Sequence, residues 1–77
     1  MAEFKYEIKK EFGKLSDKNG YSKEFNLISY NGKTAGYDIR NWYTDEETGE
    51  KKLMKGISLN KEEAEKLRDL LNEVLKS

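Results

Sequence analysis

Residues 21–43 read YSKEFNLISYNGKTAGYDIRNWY, and the predicted fold follows from this segment. Two runs rich in aromatic and β-branched residues flank the dipeptide Asn31-Gly32. A two-residue type I′ turn needs a positive φ at both central positions, which Asn and Gly tolerate best. The pattern therefore predicts a β-hairpin, with one strand over Tyr21–Tyr30 and the next running from the turn to about Tyr43.

The first of these two strands changes the parity of its apolar residues midway. Phe25 and Leu27 share one parity, whereas Ile28 and Tyr30 take the other. Because successive side chains of a strand point to opposite faces, this switch indicates either a β-bulge or burial on both faces. In the second strand, Gly36 indicates a bulge or a place where another backbone comes close.

A further strand is predicted before the hairpin. Between positions 4 and 12 every apolar residue lies at an even position and every odd position is charged, which is the period of a strand with one solvated face. The apolar positions are Phe4, Tyr6, Ile8 and Phe12. The segment 16–20, SDKNG, has turn chemistry because Asp and Asn bond their own backbone and Gly accepts a positive φ. We expect the first strand to end before this segment.

After the hairpin the chain continues with an acidic segment and a fourth strand. Residues 44–51 carry four acidic side chains around Gly49, namely Asp45, Glu46, Glu47 and Glu50. They could ligate a divalent cation, but they lack the spacing of an EF-hand, so we interpret the segment as a solvated loop with no metal. Residues 53–59 are predicted to form the short fourth strand.

The C-terminal segment has the periodicity of an amphipathic helix. Asn60 is a favourable N-cap, and Glu63 three residues later completes a capping box. At about 100° per residue, the apolar side chains fall within an arc of roughly 140°. They are Ala64, Leu67, Leu70, Leu71, Val74 and Leu75. An arc this wide can pack on the sheet, form a dimer seam, or do both.

Composition limits the possible functions. The chain has 77 residues, of which 35% are hydrophobic and 39% charged, and it contains no Cys, His or Pro. This predicts a single domain over residues 1–77. Disulfides and a structural zinc site are excluded by the missing Cys and His, and nucleophilic catalysis lacks its usual base and nucleophile. We therefore expect no enzyme activity, no cofactor and no small-molecule substrate.

Length and hydropathy bear on assembly and location. Below roughly 70 to 80 residues a single core rarely supplies more than about 3 to 5 kcal/mol, and natural chains this short add a disulfide, a metal or self-association. With the first two excluded, a homodimer is predicted.

No apolar run approaches the roughly 20 residues of a membrane span, and no secretory signal is evident, so the predicted location is the cytoplasm, without a membrane partner.

Two motifs in the second half of the chain resemble a known family. They are Asp38-Ile39-Arg40, followed by an aromatic pair, and residues 55–60, KGISLN, immediately before the helix. Together with the hairpin at residues 30–33, they are similar to the positive-cofactor-four (PC4-like) transcriptional coactivators, and within them to the bacterial YdbC-type proteins. The resemblance covers about residues 21–71. It implies an α+β fold with a curved four-stranded antiparallel sheet followed by one C-terminal helix, forming a homodimer that binds single-stranded DNA along its sheets.

The resemblance also implies which residues bind the nucleic acid. Tyr30 and Tyr43 match positions where the family places base-stacking aromatics. The matching basic or backbone-contacting positions are Lys23, Lys33, Arg40 and Lys55. An aromatic platform contributes about 1 to 3 kcal/mol per stacked base, while Lys and Arg beside it follow the phosphates. Because the formal net charge is zero, binding must depend on where these basic residues lie.

The residues taken alone leave alternatives open. Strand aromatics usually cover a sheet without binding anything. Arg40 could form a surface pair with Asp38 or with a residue of the acidic loop, worth only about 0 to 1 kcal/mol. Trp42 and Tyr43 point to opposite faces of a regular strand, so only one of them can join a given surface. The resemblance gives Tyr43 the nucleic-acid role and leaves Trp42 as a packing residue, an assignment that a nearby bulge would reverse.

The predicted function is single-stranded DNA binding with little sequence specificity, by a homodimer, in transcription or in DNA replication or repair. Single-stranded RNA is an alternative ligand. A second alternative is a protein-interaction or architectural dimer without a nucleic-acid ligand. A basic, aromatic-rich sheet surface would favour nucleic-acid binding, and a neutral apolar surface would favour a protein partner.

Overall fold

The computed structural model describes residues 5–76, which form four antiparallel strands followed by one helix. The elements are β1 (Tyr6–Lys18), β2 (Tyr21–Tyr30), β3 (Gly36–Thr44), β4 (Lys51–Leu59) and α1 (Lys61–Val74). The strands lie in the sheet in the order β1-β2-β3-β4, each antiparallel to its neighbours. The predicted α+β class, the four-stranded antiparallel sheet and the C-terminal helix are confirmed.

Strand β1 is longer than the sequence pattern predicts. It continues to Lys18 and ends at a turn formed by Asn19 and Gly20, whose φ angles are +54° and +83°. The prediction that β1 ends before residue 16 was wrong, because the polar residues of the segment remain paired with β2 up to Lys18 opposite Tyr21. Strand β1 has 13 residues and β2 has 10, and three register shifts in the ladder between them absorb this difference. Phe4, the first apolar position of the predicted pattern, lies outside the described residues.

The connection between β2 and β3 is only partly the predicted hairpin. Asn31 and Gly32 have the predicted positive φ angles, +52° and +77°, and the Lys33 N–H donates to the Tyr30 carbonyl at 3.0 Å. The predicted turn is therefore confirmed. The ladder between the strands, however, ends at Ile28 opposite Gly36, so the prediction that the next strand runs directly from the turn was wrong. The end of β2 stays paired with β1 instead.

Asn31, which follows β2, is hydrogen-bonded to Lys5, the residue before β1. Its backbone N–H donates to the Lys5 carbonyl at 2.8 Å, and its side-chain oxygen accepts from the Lys5 N–H at 2.9 Å. These two bonds satisfy backbone groups at the edge of the β1–β2 ladder. They also fix the turn after β2 relative to β1.

The sheet curls toward one face, which we call the concave face. Tyr6 pairs with Tyr30 at one end of β2, and Trp42 pairs with Ser22 at the other end. The rings of Tyr6 and Trp42 nevertheless lie 5.6 Å apart, so curvature brings opposite corners of the sheet together. The buried side chains on this face are Ser22, Glu24, Asn26, Ile28, Asp38 and Trp42. The core on the concave face is therefore largely polar.

The opposite face, which we call the helix face, carries α1 across β3 and β4. A cavity of about 330 Å³ separates sheet residues Phe25, Ile39 and Leu59 from helix residues Leu67 and Leu71. Phe25 lies on this face while Ile28 is buried on the other, and β2 pairs with β3 without a register shift. Burial on both faces, and not a bulge against β3, explains the parity switch in β2.

The start of α1 is fixed by a capping box between Asn60 and Glu63. The Glu63 N–H donates to the Asn60 side chain at 2.8 Å, and the Asn60 N–H donates to the Glu63 carboxylate at 3.0 Å, which confirms the capping box. Strand β4 begins at Lys51, two residues earlier than predicted.

Among residues 5–76, no helix has the length and apolar character that a membrane crossing requires.

The acidic segment between β3 and β4 is an exposed hydrogen-bonded turn. The Asp45 N–H donates to the Glu50 carbonyl at 2.8 Å, and the Asp45 carboxylate accepts from the Glu47 N–H at 2.8 Å. This is the backbone-bonding use of Asp that is common in turns. Within the described part of the chain, no group of three or more His, Cys, Asp or Glu residues is placed to hold a metal ion.

Candidate nucleic-acid interface

Asp38 is the centre of a hydrogen-bond network on the concave face. Its side chain is fully buried. Arg40 donates to it through Nε at 2.6 Å and Nη2 at 2.8 Å, the Tyr30 hydroxyl at 2.7 Å, and the Ser58 hydroxyl at 2.8 Å. A buried carboxylate is tolerated only when it is paired and hydrogen-bonded in this way. The network joins the two sequence motifs, since Asp38 and Arg40 belong to the first and Ser58 to the second.

The protonation states in this network are fixed by its contacts. Burial raises the pKa of Asp38, but hydrogen bonds from Arg40, Tyr30 and Ser58 outweigh it and hold the pKa of the carboxyl below its ordinary value. Burial and the nearby Asp38 raise the pKa of Tyr30 to about 12. Around neutral pH the carboxylate is therefore charged and the phenol keeps its proton.

Arg40 crosses β4 at Gly56. Its Nη1 donates to the Met54 carbonyl at 2.9 Å. A Cβ on Gly56 would lie 1.9 Å from the Arg40 Cβ and 2.5 Å from both the Arg40 Cα and the Ile39 carbonyl oxygen. Only glycine fits at this crossing. The alternative of an Arg40–Asp38 ion pair is confirmed, but the pair is buried, with the Arg40 side chain 13% exposed, and not on the surface.

Trp42 is a packing residue, as the sequence interpretation proposed. It is 1% exposed, and its ring contacts Tyr6 on the concave face. The Lys51 Nζ lies 4.9 Å from the Trp42 ring centroid and 2.8 Å from the Glu24 carboxylate. Burial raises the pKa of Glu24, but the bonds from Lys51 and Ser22 outweigh it and lower the pKa below its ordinary value.

Tyr43 lies on the helix face, at the end of the sheet near the Asn19–Gly20 turn. It pairs with Tyr21, and the two ring centroids are 4.8 Å apart with planes tilted by 44°. Lys23 shares this face because it follows Tyr21 by two positions in a regular strand. Lys52 shares it because it is the register partner of Tyr43. We call Tyr21 and Tyr43 the tyrosine platform.

The residues assigned by resemblance do not all share one face. Tyr43 and Lys23 belong to the helix face, whereas Tyr30 and Arg40 belong to the concave face. On the concave face the Arg40 guanidinium lies 5.4 Å from the Tyr30 ring centroid. Both residues there are engaged with Asp38, so they hold the sheet together in addition to any contact with a ligand.

The two remaining lysines are exposed but lie apart. Lys33 is in the loop between β2 and β3, where its N–H donates to the Tyr30 carbonyl. Lys55 is in the edge strand β4. The structure thus places the Lys33 backbone next to Tyr30, and Lys23 on the same face as Tyr43.

Sequence reasoning missed Tyr21 and Lys52. Both are exposed, and both are defined by their position relative to Tyr43. The Asn19-Gly20 dipeptide was the available signal, because it marks the turn after which β2 begins at Tyr21, opposite the end of β3. The signal can be used only if β1 is taken to continue up to that turn.

Two comparisons with known proteins find sequences that are similar to this chain. A family model described as Transcriptional Coactivator p15 (PC4) matches residues 18–70. Over 71 residues the chain is 44% identical to an uncharacterized protein of Treponema pallidum (strain Nichols), a match that covers 91% of this chain and 79% of that protein. The family match spans β2, β3, β4 and most of α1, and it includes the Asp38 network and the tyrosine platform.

Proposed function

Because the chain belongs to the transcriptional coactivator p15 (PC4) family, we propose that it binds single-stranded DNA with little sequence specificity, as a homodimer, in transcription or in DNA replication or repair. The family consists of nucleic-acid-binding proteins that are not enzymes. We propose one binding domain over residues 1–77, since β1 pairs with β2 along its length. Its proposed contacts are Lys23, Tyr30, Lys33, Arg40, Tyr43 and Lys55.

The observation that carries the proposal is the pairing of aromatic and basic side chains around the tyrosine platform, Tyr21 and Tyr43. Every base has a π-face, so an accessible ring accepts any base, and an ammonium group beside it follows the backbone. Lys23 is exposed and takes part in no salt bridge within residues 5–76. Its charge is therefore available to a phosphate.

The location of the other proposed contacts favours a flexible ligand. Tyr30 and Arg40 lie on the face of the sheet opposite Tyr43. Duplex DNA has a persistence length of about 150 base pairs and bends at a cost, whereas a single strand can follow contacts around an edge. Base stacking on the tyrosine platform also needs a ring face of the base that a duplex hides.

We expect single strands to bind more tightly than duplex, and Tyr43→Ala to weaken single-strand binding by about 1 to 3 kcal/mol. Titrations of labelled single-stranded DNA, the matching duplex and single-stranded RNA at two salt concentrations measure this. Affinity should fall with salt, by about 0.7 log units per neutralised phosphate for each tenfold change. Tyr43→Phe is the control, because it retains the ring.

Two results would contradict the proposal. Duplex binding as tight as single-strand binding at equal salt would exclude stacking as the mechanism. A folded dimer that binds none of the three nucleic acids would leave the architectural alternative, in which the exposed surfaces meet another protein.

The proposed dimer uses the part of the helix face around α1, away from the tyrosine platform. The apolar residues of α1 and its C-cap that remain between 44% and 73% exposed are Leu70, Leu71, Val74 and Leu75. Ile57 of β4 and Leu15 of β1 are also more than half exposed. A second copy that covers these side chains would add to a core that is small and partly polar.

We therefore expect sedimentation equilibrium at micromolar concentration to give twice the chain mass. Leu71→Asp should shift the equilibrium toward monomer, because a two-fold interface would bury the new charge twice. Glu73→Asp, a conservative change at an exposed polar position of the same helix, is the control. A wild-type protein that stays a folded monomer over this concentration range would contradict the dimer.

A further inference from the structure

We propose that Tyr21 is a further nucleic-acid-binding residue, and that one base of a single strand stacks on its exposed ring while Tyr43 supports that ring from behind. The inference rests on the proposed function and adds to it the residue that makes the stacking contact at this end of the sheet. Tyr21 is 52% exposed, although its ring lies 4.8 Å from that of Tyr43. A large part of its surface therefore faces away from its partner.

The spacing of the two rings decides where a base can lie. Each stacking contact occupies about 3.5 to 4 Å between carbon atoms. Ring centroids 4.8 Å apart and tilted by 44° leave no room for a base between them. A base must therefore stack on an outer surface of the platform.

Tyr43 is enclosed on a second side. A Cβ on Gly20 would lie 3.4 Å from the Tyr43 Cε1 and 3.3 Å from the Thr44 carbonyl oxygen, so the turn runs directly against this ring. The Thr44 N–H also donates to the Gly20 carbonyl at 2.8 Å, which fixes the end of β3 against the turn. Tyr43 is thus flanked by Gly20 and Tyr21, and the more open ring is that of Tyr21.

Three lysines surround the platform. Lys18 is the register partner of Tyr21, Lys52 is the partner of Tyr43, and Lys23 follows Tyr21 by two positions. All three are exposed, and none of them takes part in a salt bridge among residues 5–76. An exposed ring with three available ammonium groups is suited to a base and the phosphates on either side of it.

The experiment compares Tyr21→Leu with Tyr21→Phe. Both changes keep an apolar side chain against Tyr43, but only phenylalanine keeps a ring. Binding is measured by fluorescence anisotropy with a labelled oligothymidylate and with an abasic oligomer of the same length, which has the phosphates without the bases. Thermal melts of both variants, followed by the fluorescence of buried Trp42, verify that the fold is retained.

We expect Tyr21→Leu to weaken oligothymidylate binding by about 5- to 150-fold, and Tyr21→Phe to bind like the wild type. The abasic oligomer should bind the wild type and both variants equally, since it offers no base to stack. Equal oligothymidylate binding by wild type and Tyr21→Leu would overturn the inference alone. So would an equal loss for the abasic oligomer. If the wild type binds neither oligomer, the proposed function fails and the role of Tyr21 falls with it.

Discussion

Replacing Asp38 with alanine is expected to lower the free energy of unfolding by about 3 to 5 kcal/mol, which is the typical cost of removing one partner of a buried ion pair. The Arg40 guanidinium would lose its carboxylate, and the hydroxyls of Tyr30 and Ser58 would lose their acceptor. A core of this size supplies roughly the same amount of stability. We therefore expect the variant to be largely unfolded, as urea titration followed by Trp42 fluorescence would show.

Asp17→Ala is the matched control. Asp17 also forms an ion pair, with Lys14 at 3.1 Å, but both side chains are more than half exposed. Exposed pairs contribute about 0 to 1 kcal/mol, so this change should leave the urea midpoint almost unaltered. If Asp38→Ala were no less stable than Asp17→Ala, the buried network would not stabilise the fold.

The same network predicts how stability depends on pH. The pKa of Asp38 is lowered in the folded protein, so its contribution is fully present above the ordinary carboxyl pKa of about 4 and is lost as the pH falls through the lowered folded value. Glu24, whose pKa is also lowered, acts in the same direction. Stability should therefore fall below about pH 4.

The parts of the fold that sequence predicts correctly are those decided within a few residues. The capping box at Asn60 and Glu63 involves two side chains and the backbone between them, and the positive φ at Asn31 and Gly32 is a property of those residues. The end of β1 is different. It depends on whether residues 16–18 find backbone partners in β2, and three register shifts determine that pairing.

In the candidate site too, features decided by neighbouring residues were predicted correctly, and features that depend on distant strands were not. Alternation along β3 correctly separates buried Trp42 from Tyr43. The burial of Asp38 is not visible in the sequence, because its other donors come from β2 and β4 and the sheet must curl to enclose them. Tyr21 was missed because its partner in β3 is defined only by the strand register.

The second large effect is expected for Gly56→Ala, which should lower the free energy of unfolding by at least about 3 kcal/mol, the upper end of the usual cost of overpacking. The added Cβ would lie 1.9 Å from the Arg40 Cβ and 2.5 Å from the Ile39 carbonyl oxygen. Backbone atoms make up part of this contact, so no rotamer change relieves it. The crossing of β3 and β4 must open instead.

Gly49→Ala separates this steric effect from the loss of glycine's conformational freedom. Gly49 has a φ of +72°, and a Cβ there would meet nothing within 4 Å. Alanine at that position costs only the left-handed backbone, about 1 to 2 kcal/mol. Gly56 does not have a positive φ, so its whole effect comes from the close approach. Urea midpoints for both variants decide between the two explanations, and a Gly56→Ala protein as stable as Gly49→Ala would mean that Arg40 does not cross β4 in contact with Gly56.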